Sequence, residues 1–216
     1  MGKAFDYDGP LMSFLGKVSD IVILNFLTLL CCLPIVTIGV SLTACHYVAL
    51  KLRRGEGYVW KNFWKSIKVN FVQSTIIWLI LVAIIISSCY SYFFTMAAVK
   101  GTASMIMSSI VFVGMLFTAM TSMWIFPIQS KFINNIGATI KNSFFLAFKY
   151  LFRTMLMLGI TAIPFLLIGV LTFNFYWIIL LFGFSVPAYL CAMLYDKKFE
   201  MIEEVIKERE EQEGAA

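Results

Sequence analysis

The residues that could do chemistry are few. His46 is the single histidine, and the five cysteines, Cys31, Cys32, Cys45, Cys89 and Cys191, all fall in apolar stretches. One imidazole rules out a histidine-based metal site. An odd cysteine count without a Cys-x-x-Cys pair suggests neither a disulfide framework nor a zinc site. The cysteines read as small reduced hydrophobes, and His46 as a helix-terminal or interfacial residue. Proton relays, ion-coupled transport and intramembrane aspartyl proteolysis all need ionisable groups at depth. Here Asp20 stands only at the edge of the first uncharged run, and no acid lies inside any of them. No Gly-rich phosphate loop and no nucleophile elbow occurs. The expectation is no enzyme, no cofactor and no nucleic-acid partner.

The chemistry these residues do offer is lipid binding. Trp60, Phe63, Trp64, Ile67 and Phe71 recur at helical spacing and form one face. Lys61, Lys65 and Lys68 lie on the flank of that face. Aromatics at the headgroup boundary with lysines for lipid phosphate make an amphipathic, membrane-interface helix. A second connector, 131–153, carries Lys131, Lys141, Lys149 and Arg153 and no acid. Its Phe144, Phe145, Phe148, Leu151 and Phe152 go nearly all round, so it needs cover from lipid and from a helix bundle. The partner these loops predict is a bilayer with anionic headgroups.

The elements that must carry these residues follow from charge. Residues 21–50, 69–99, 101–130 and 154–195 hold no Asp, Glu, Lys or Arg. The chain is 61% hydrophobic and 13% charged, with mean hydropathy +0.88, against about 25% charged for a globular domain. A hydrocarbon core takes about 20 apolar residues per helix, so the reading is an all-α membrane protein. Spans lie within 21–50, 69–99, 101–130, 154–173 and 175–195, with Asn174 at the last turn and an interfacial helix over 11–20. Pro34 and Gly39 break the first run, which is therefore one kinked span or a tight hairpin beginning at Leu11. The bundle has five spans, or six with the hairpin; five is preferred. Residues 1–195 form one transmembrane domain with thirteen bases and four acids, and 196–216 an acidic helical tail with four bases and eight acids. Basic loops stay cytoplasmic, which puts the 51–68 loop and the C-terminus inside. Ser and Thr in the spans, among them Ser104, Ser108, Ser109, Thr118, Thr121 and Ser122, read mainly as helix-packing residues.

The stretch Leu24-Asn25-Phe26-Leu27, then Cys32-Leu33-Pro34-Ile35-Val36-Thr37-Ile38-Gly39, then Leu42-Thr43-Ala44, Gly57-Tyr58, Phe63-Trp64-Lys65-Ser66 and Asn70-Phe71 resembles the YesL-type family of bacterial membrane proteins, a domain of unknown function. The block Phe126-Pro127-Ile128-Gln129-Ser130-Lys131-Phe132, with Ile140-Lys141-Asn142-Ser143 and Arg153-Thr154, is similar to that family's other segment. Lys131 stands where the family pattern has Arg, which keeps the charge and loses the planar fork. The resemblance covers roughly residues 10–195. It implies a bacterial cytoplasmic-membrane protein encoded beside binding-protein-dependent ABC systems for oligosaccharide uptake, with an importer permease as partner. It carries over no catalytic residue. The functional expectation is an accessory or regulatory partner of a carbohydrate ABC uptake system, with an autonomous small-solute transporter or channel as the alternative.

Overall fold

A computed structural model describes residues 10–170 and 180–214. Every element in them is helical: α1 (Pro10–Cys32), a single 3-10 turn (Ile35–Thr37), α2 (Ile38–Arg54), α3 (Val59–Ala98), α4 (Thr102–Lys131), α5 (Ile136–Lys149), α6 (Leu151–Val170) and α7 (Ser185–Gly214). Four stretches are long and apolar enough to cross a membrane: Phe14–Cys32, Ile35–Arg54, Val59–Ala98 and Thr102–Lys131. The pair Ile136–Lys149 and Leu151–Leu167 makes a fifth if it is counted as one span, although it is bent by 102°. The expected turn at Asn174 lies outside the described residues.

Residues 11–20 and 21–32 form one helix, and the chain reverses after it. Helix α2 packs back along α1, with Leu24, Leu27, Ala44, Cys45 and Val48 in one core, so the two run antiparallel. This is the hairpin alternative rather than the preferred kinked span. Pro34 sits at the break in extended conformation (φ −76°, ψ 122°). The carbonyls it frees are satisfied locally. The Thr37 hydroxyl donates to the Cys31 carbonyl oxygen at 2.7 Å and lies 2.9 Å from that of Pro34, which also accepts from the Thr37 N–H. The Trp78 indole N–H donates to the Ile35 carbonyl oxygen at 2.9 Å. Irregular backbone at membrane depth is tolerated only with such partners.

Gly39 lies inside α2 rather than at the break, and it sets how closely α2 approaches α3. A Cβ there would stand 2.6 Å from the Ser74 carbonyl oxygen and against Trp78. One turn on, Thr43 and Ser74 share a hydroxyl–hydroxyl bond of 3.0 Å. At the far end of α2, Gly55 (φ +71°) caps the helix, with the Gly55 and Glu56 N–H groups donating to the Leu52 and Lys51 carbonyl oxygens. A left-handed residue is needed at that cap, and glycine supplies it without strain. Helix α3 then runs 40 residues, about 60 Å at 1.5 Å per residue. The 60–71 segment is its first three turns and not a separate connector.

The main core gathers Phe63 from α3, Trp124 from α4, Met157 from α6, and Tyr195 and Phe199 from α7 around the α1–α2 hairpin. Trp124 donates its indole N–H to the Thr154 hydroxyl at 2.9 Å and stands 5.9 Å from the Tyr150 ring.

Candidate functional site

The membrane-interface stripe divides in the folded chain. Phe63 turns fully into the core, and Ile67 packs against it. Trp60 and Phe71 are exposed, at 59% and 44%, and Trp64 is half-buried with its ring edge-on to Trp60, 5.9 Å between centroids. Lys61, Lys65 and Lys68 are all exposed, and none is in an ion pair among the described residues. So one side of the first turns of α3 anchors the bundle. The other presents indoles beside free ammonium groups, as side chains at a headgroup boundary do.

Several other bases are spent inside the protein. Asp196, almost fully buried on α7, takes Arg53 Nε on one carboxylate oxygen at 2.8 Å and Arg54 on the other at 2.6 Å. Arg54 also reaches Glu200 at 3.4 Å, and Lys131 pairs with Glu203 at 2.7 Å. Lys51 pairs with Glu56 at 2.7 Å, and its ammonium holds the exposed Glu56 carboxyl below the usual carboxylate range. By sequence the Arg53-Arg54 pair belongs with the lipid-facing bases. Its carboxylate partner lies 142 residues beyond Arg54, and no local spacing signals a contact over that distance.

Helix α7 passes through the expected boundary at 195/196 without a break. Its first three turns end with Tyr195 in the core, and Phe199 is fully buried against Trp124 and Phe132, with ring centroids 6.4 and 5.2 Å away. The acidic tail is therefore docked for about two turns beyond Asp196, and exposed from Glu204 to Glu208. Its start is fixed from α1: Asn25, fully buried, accepts the Phe184 and Ser185 N–H groups at 2.8 and 3.0 Å and donates to the Leu180 carbonyl oxygen at 2.6 Å.

The second connector is α5, capped by the Asn135 side chain on the Ile136 N–H. It packs on α4 with Thr139, Ser143 and Ala147, which leaves Phe144, Phe145 and Phe148 exposed. Phe148 stands edge-on to Phe117 of α4 at 5.2 Å. The loop before α5 is held by Gln73 of α3, which donates to the Asn134 carbonyl oxygen. The hydroxyls of α4 mostly bond back into their own helix: Ser108 to Ser104, Ser109 to Met105, Thr118 to Gly114 and Thr121 to Phe117. Among the described residues, no three His, Cys, Asp or Glu side chains gather closely enough to hold a metal ion.

Residues 21–92 match a family described as a protein of unknown function, DUF624. The match spans the second half of α1, all of α2 and most of α3, a third of the chain. No curated protein and no solved structure matches the chain.

Proposed function

We propose that this protein is an accessory or regulatory subunit of a carbohydrate ABC importer in a bacterial cytoplasmic membrane, with the basic loops and both termini on the cytoplasmic side. The observation that carries the accessory role is the aromatic face of α5. Phe144, Phe145 and Phe148 stand exposed on a helix whose opposite face is packed against α4. These three rings, and separately the exposed Trp60, are apolar surface that calls for lipid or a protein neighbour. The importer as neighbour rests on the resemblance over residues 10–195, including the 126–154 blocks that the DUF624 match does not reach. The reading assigns no catalytic residue.

The test is a mild-detergent pull-down of tagged protein from its own host, read by mass spectrometry. Co-purification of an importer permease or binding protein is expected, with crosslinks from Phe144 or Trp60 to the permease. Recovery of the protein alone, with crosslinks only to lipid and to itself, overturns the reading. Transport by the chain itself has less support, because most of the α4 hydroxyls available to line a polar path are engaged with their own helix. Sugar or ion flux into liposomes above empty controls would favour it instead.

A further inference from the structure

Tyr150 occupies the elbow where α5 turns into α6. Three cations from three helices surround its ring. Lys149 Nζ of α5 lies 5.6 Å from the ring centroid, Arg153 Cζ of α6 5.9 Å and Lys198 Nζ of α7 5.3 Å. Among the described residues no carboxylate is within ion-pair distance of any of the three. The nearest acids of α7 are engaged elsewhere: Asp196 and Glu200 hold the α2 arginines, and Glu203 holds Lys131. A π face offsets part of the mutual repulsion, but the cluster keeps a local excess of positive charge. An anion with several acceptor oxygens relieves it through charge-assisted hydrogen bonds.

Beside the cluster a cleft of about 510 Å³ opens between α5 and α7. Phe145, Leu146, Ile202 and Ile206 line it, and Lys149 and Tyr150 belong to the same wall. The cleft is mainly apolar, with Asn134 and Asn142 also on its wall, where the cluster is cationic, and the two share residues. The cluster also lies next to Asp196 and its arginines, at the basic end of the bundle. An amphiphile with an anionic head fits both halves. Phosphatidylcholine would bring a cation of its own with no acid to meet it, and free phosphate would leave the cleft empty.

We propose that this is a binding site for an anionic glycerophospholipid, with its phosphate on Lys149, Arg153 and Lys198 and an acyl chain in the α5–α7 cleft. The site stands whether or not the chain has a protein partner. The test titrates purified full-length protein in detergent with phosphatidylglycerol, phosphatidylcholine or inorganic phosphate, read by native mass spectrometry and thermal shift. Phosphatidylglycerol is expected to bind and to raise the melting temperature, phosphatidylcholine to bind several-fold more weakly, and inorganic phosphate to do neither at the same concentration. Arg153 also donates to the Leu194 carbonyl oxygen at 2.7 Å, so it is kept, and K149Q/K198Q is the informative variant. It should weaken phosphatidylglycerol binding roughly tenfold while leaving phosphatidylcholine unchanged. I206W, which fills the cleft at an exposed position, should weaken it with the cations intact. K17Q/K207Q removes equal charge elsewhere and should change nothing. The site is overturned if K149Q/K198Q binds phosphatidylglycerol as wild type does, or if K17Q/K207Q loses as much. Inorganic phosphate binding as tightly as the lipid overturns the acyl-chain half.

Discussion

Asn25 ties α1 to the start of α7 through two hydrogen bonds and to Leu180 just before it through a third, in the apolar part of the bundle. Its carboxamide closes the N-terminus of α7, taking up two backbone N–H groups of the kind an α-helix leaves without intrahelical partners. Removing it strands those donors where water does not compete. Asn25→Ala should therefore cost about 2 kcal/mol, above the ~0.6 kcal/mol average for a side-chain hydrogen bond in a membrane protein. Thr118, which bonds only to its own helix at Gly114, is the control, and Thr118→Ala should change stability by about 0.5 kcal/mol or less. Reversible unfolding in mixed detergent micelles measures both; equal effects would refute the tertiary cap. Asp196 is a second residue of this kind. Two guanidiniums share its carboxylate, and Asp196→Asn leaves Arg53 without a counter-charge and Arg54 with only the exposed Glu200 carboxylate 3.4 Å away, at a site they cannot fully leave. A loss of about 2 kcal/mol is expected, below the 3–5 kcal/mol of a fully buried pair because the arginines are partly exposed.

At the scale of elements, a single glycine sets how closely α2 approaches α3. Gly39→Ala drives a methyl into the Ser74 carbonyl and Trp78, so α2 must shift or the Trp78–Ile35 bond must open. A cost of about 1–3 kcal/mol follows. At Gly16 on α1 an added methyl would meet nothing within 4 Å, and Gly16→Ala should be neutral or stabilising by up to about 1 kcal/mol. Indistinguishable melting curves for the two variants would count against the close approach. Much of this level is legible in the sequence. Uncharged runs of 30 residues or more mark helices because no charged side chain interrupts them, and Pro34 marks a break because it has no N–H to donate. The choice between kink and hairpin is not legible, since it is made by Trp78 and Gly39, which are far apart in sequence. Gly39 matters for a different reason from the one its position beside Pro34 suggests: its role is packing, not breaking. Phe63 and Phe71 share a helical face by spacing, yet one enters the core and the other does not, because the main core takes α3 only through its first turns. Charge begins at 195/196 and so suggests a tail boundary there, whereas the backbone ignores charge and the Phe199 side chain carries α7 on into the core.

For the molecule as a whole, the hairpin decides the topology. With α1 and α2 antiparallel, the start of α1 lies at the same end as Arg53 and Arg54, and the Asp196 clasp brings α7 to that end too. Beyond the Pro34 turn, which Trp78 fixes beside α3, α3 continues for another 20 residues, about 30 Å of helix, and α4 returns alongside it. The turn between them, at Gly101 with φ +77°, is the end of α3 farthest from the basic loop, and Lys100 is the lone base there. Bases prefer the cytoplasmic side, so the basic end, with both Lys17 and Glu208, should face the cytoplasm and Lys100 the other side. Single cysteines placed at 17, 208 and 100 in a background with Cys31, Cys32, Cys45, Cys89 and Cys191 replaced would report this with a membrane-impermeant maleimide on intact cells and on opened membranes. The hairpin requires the first two to be labelled only after opening and the third in intact cells. Labelling of position 17 in intact cells, with 208 still protected, would require α1 and α2 to form one kinked span, a single crossing from the outside to the basic loop. The core that Leu24 and Leu27 of α1 share with Ala44, Cys45 and Val48 of α2 would then have no geometry in which to form.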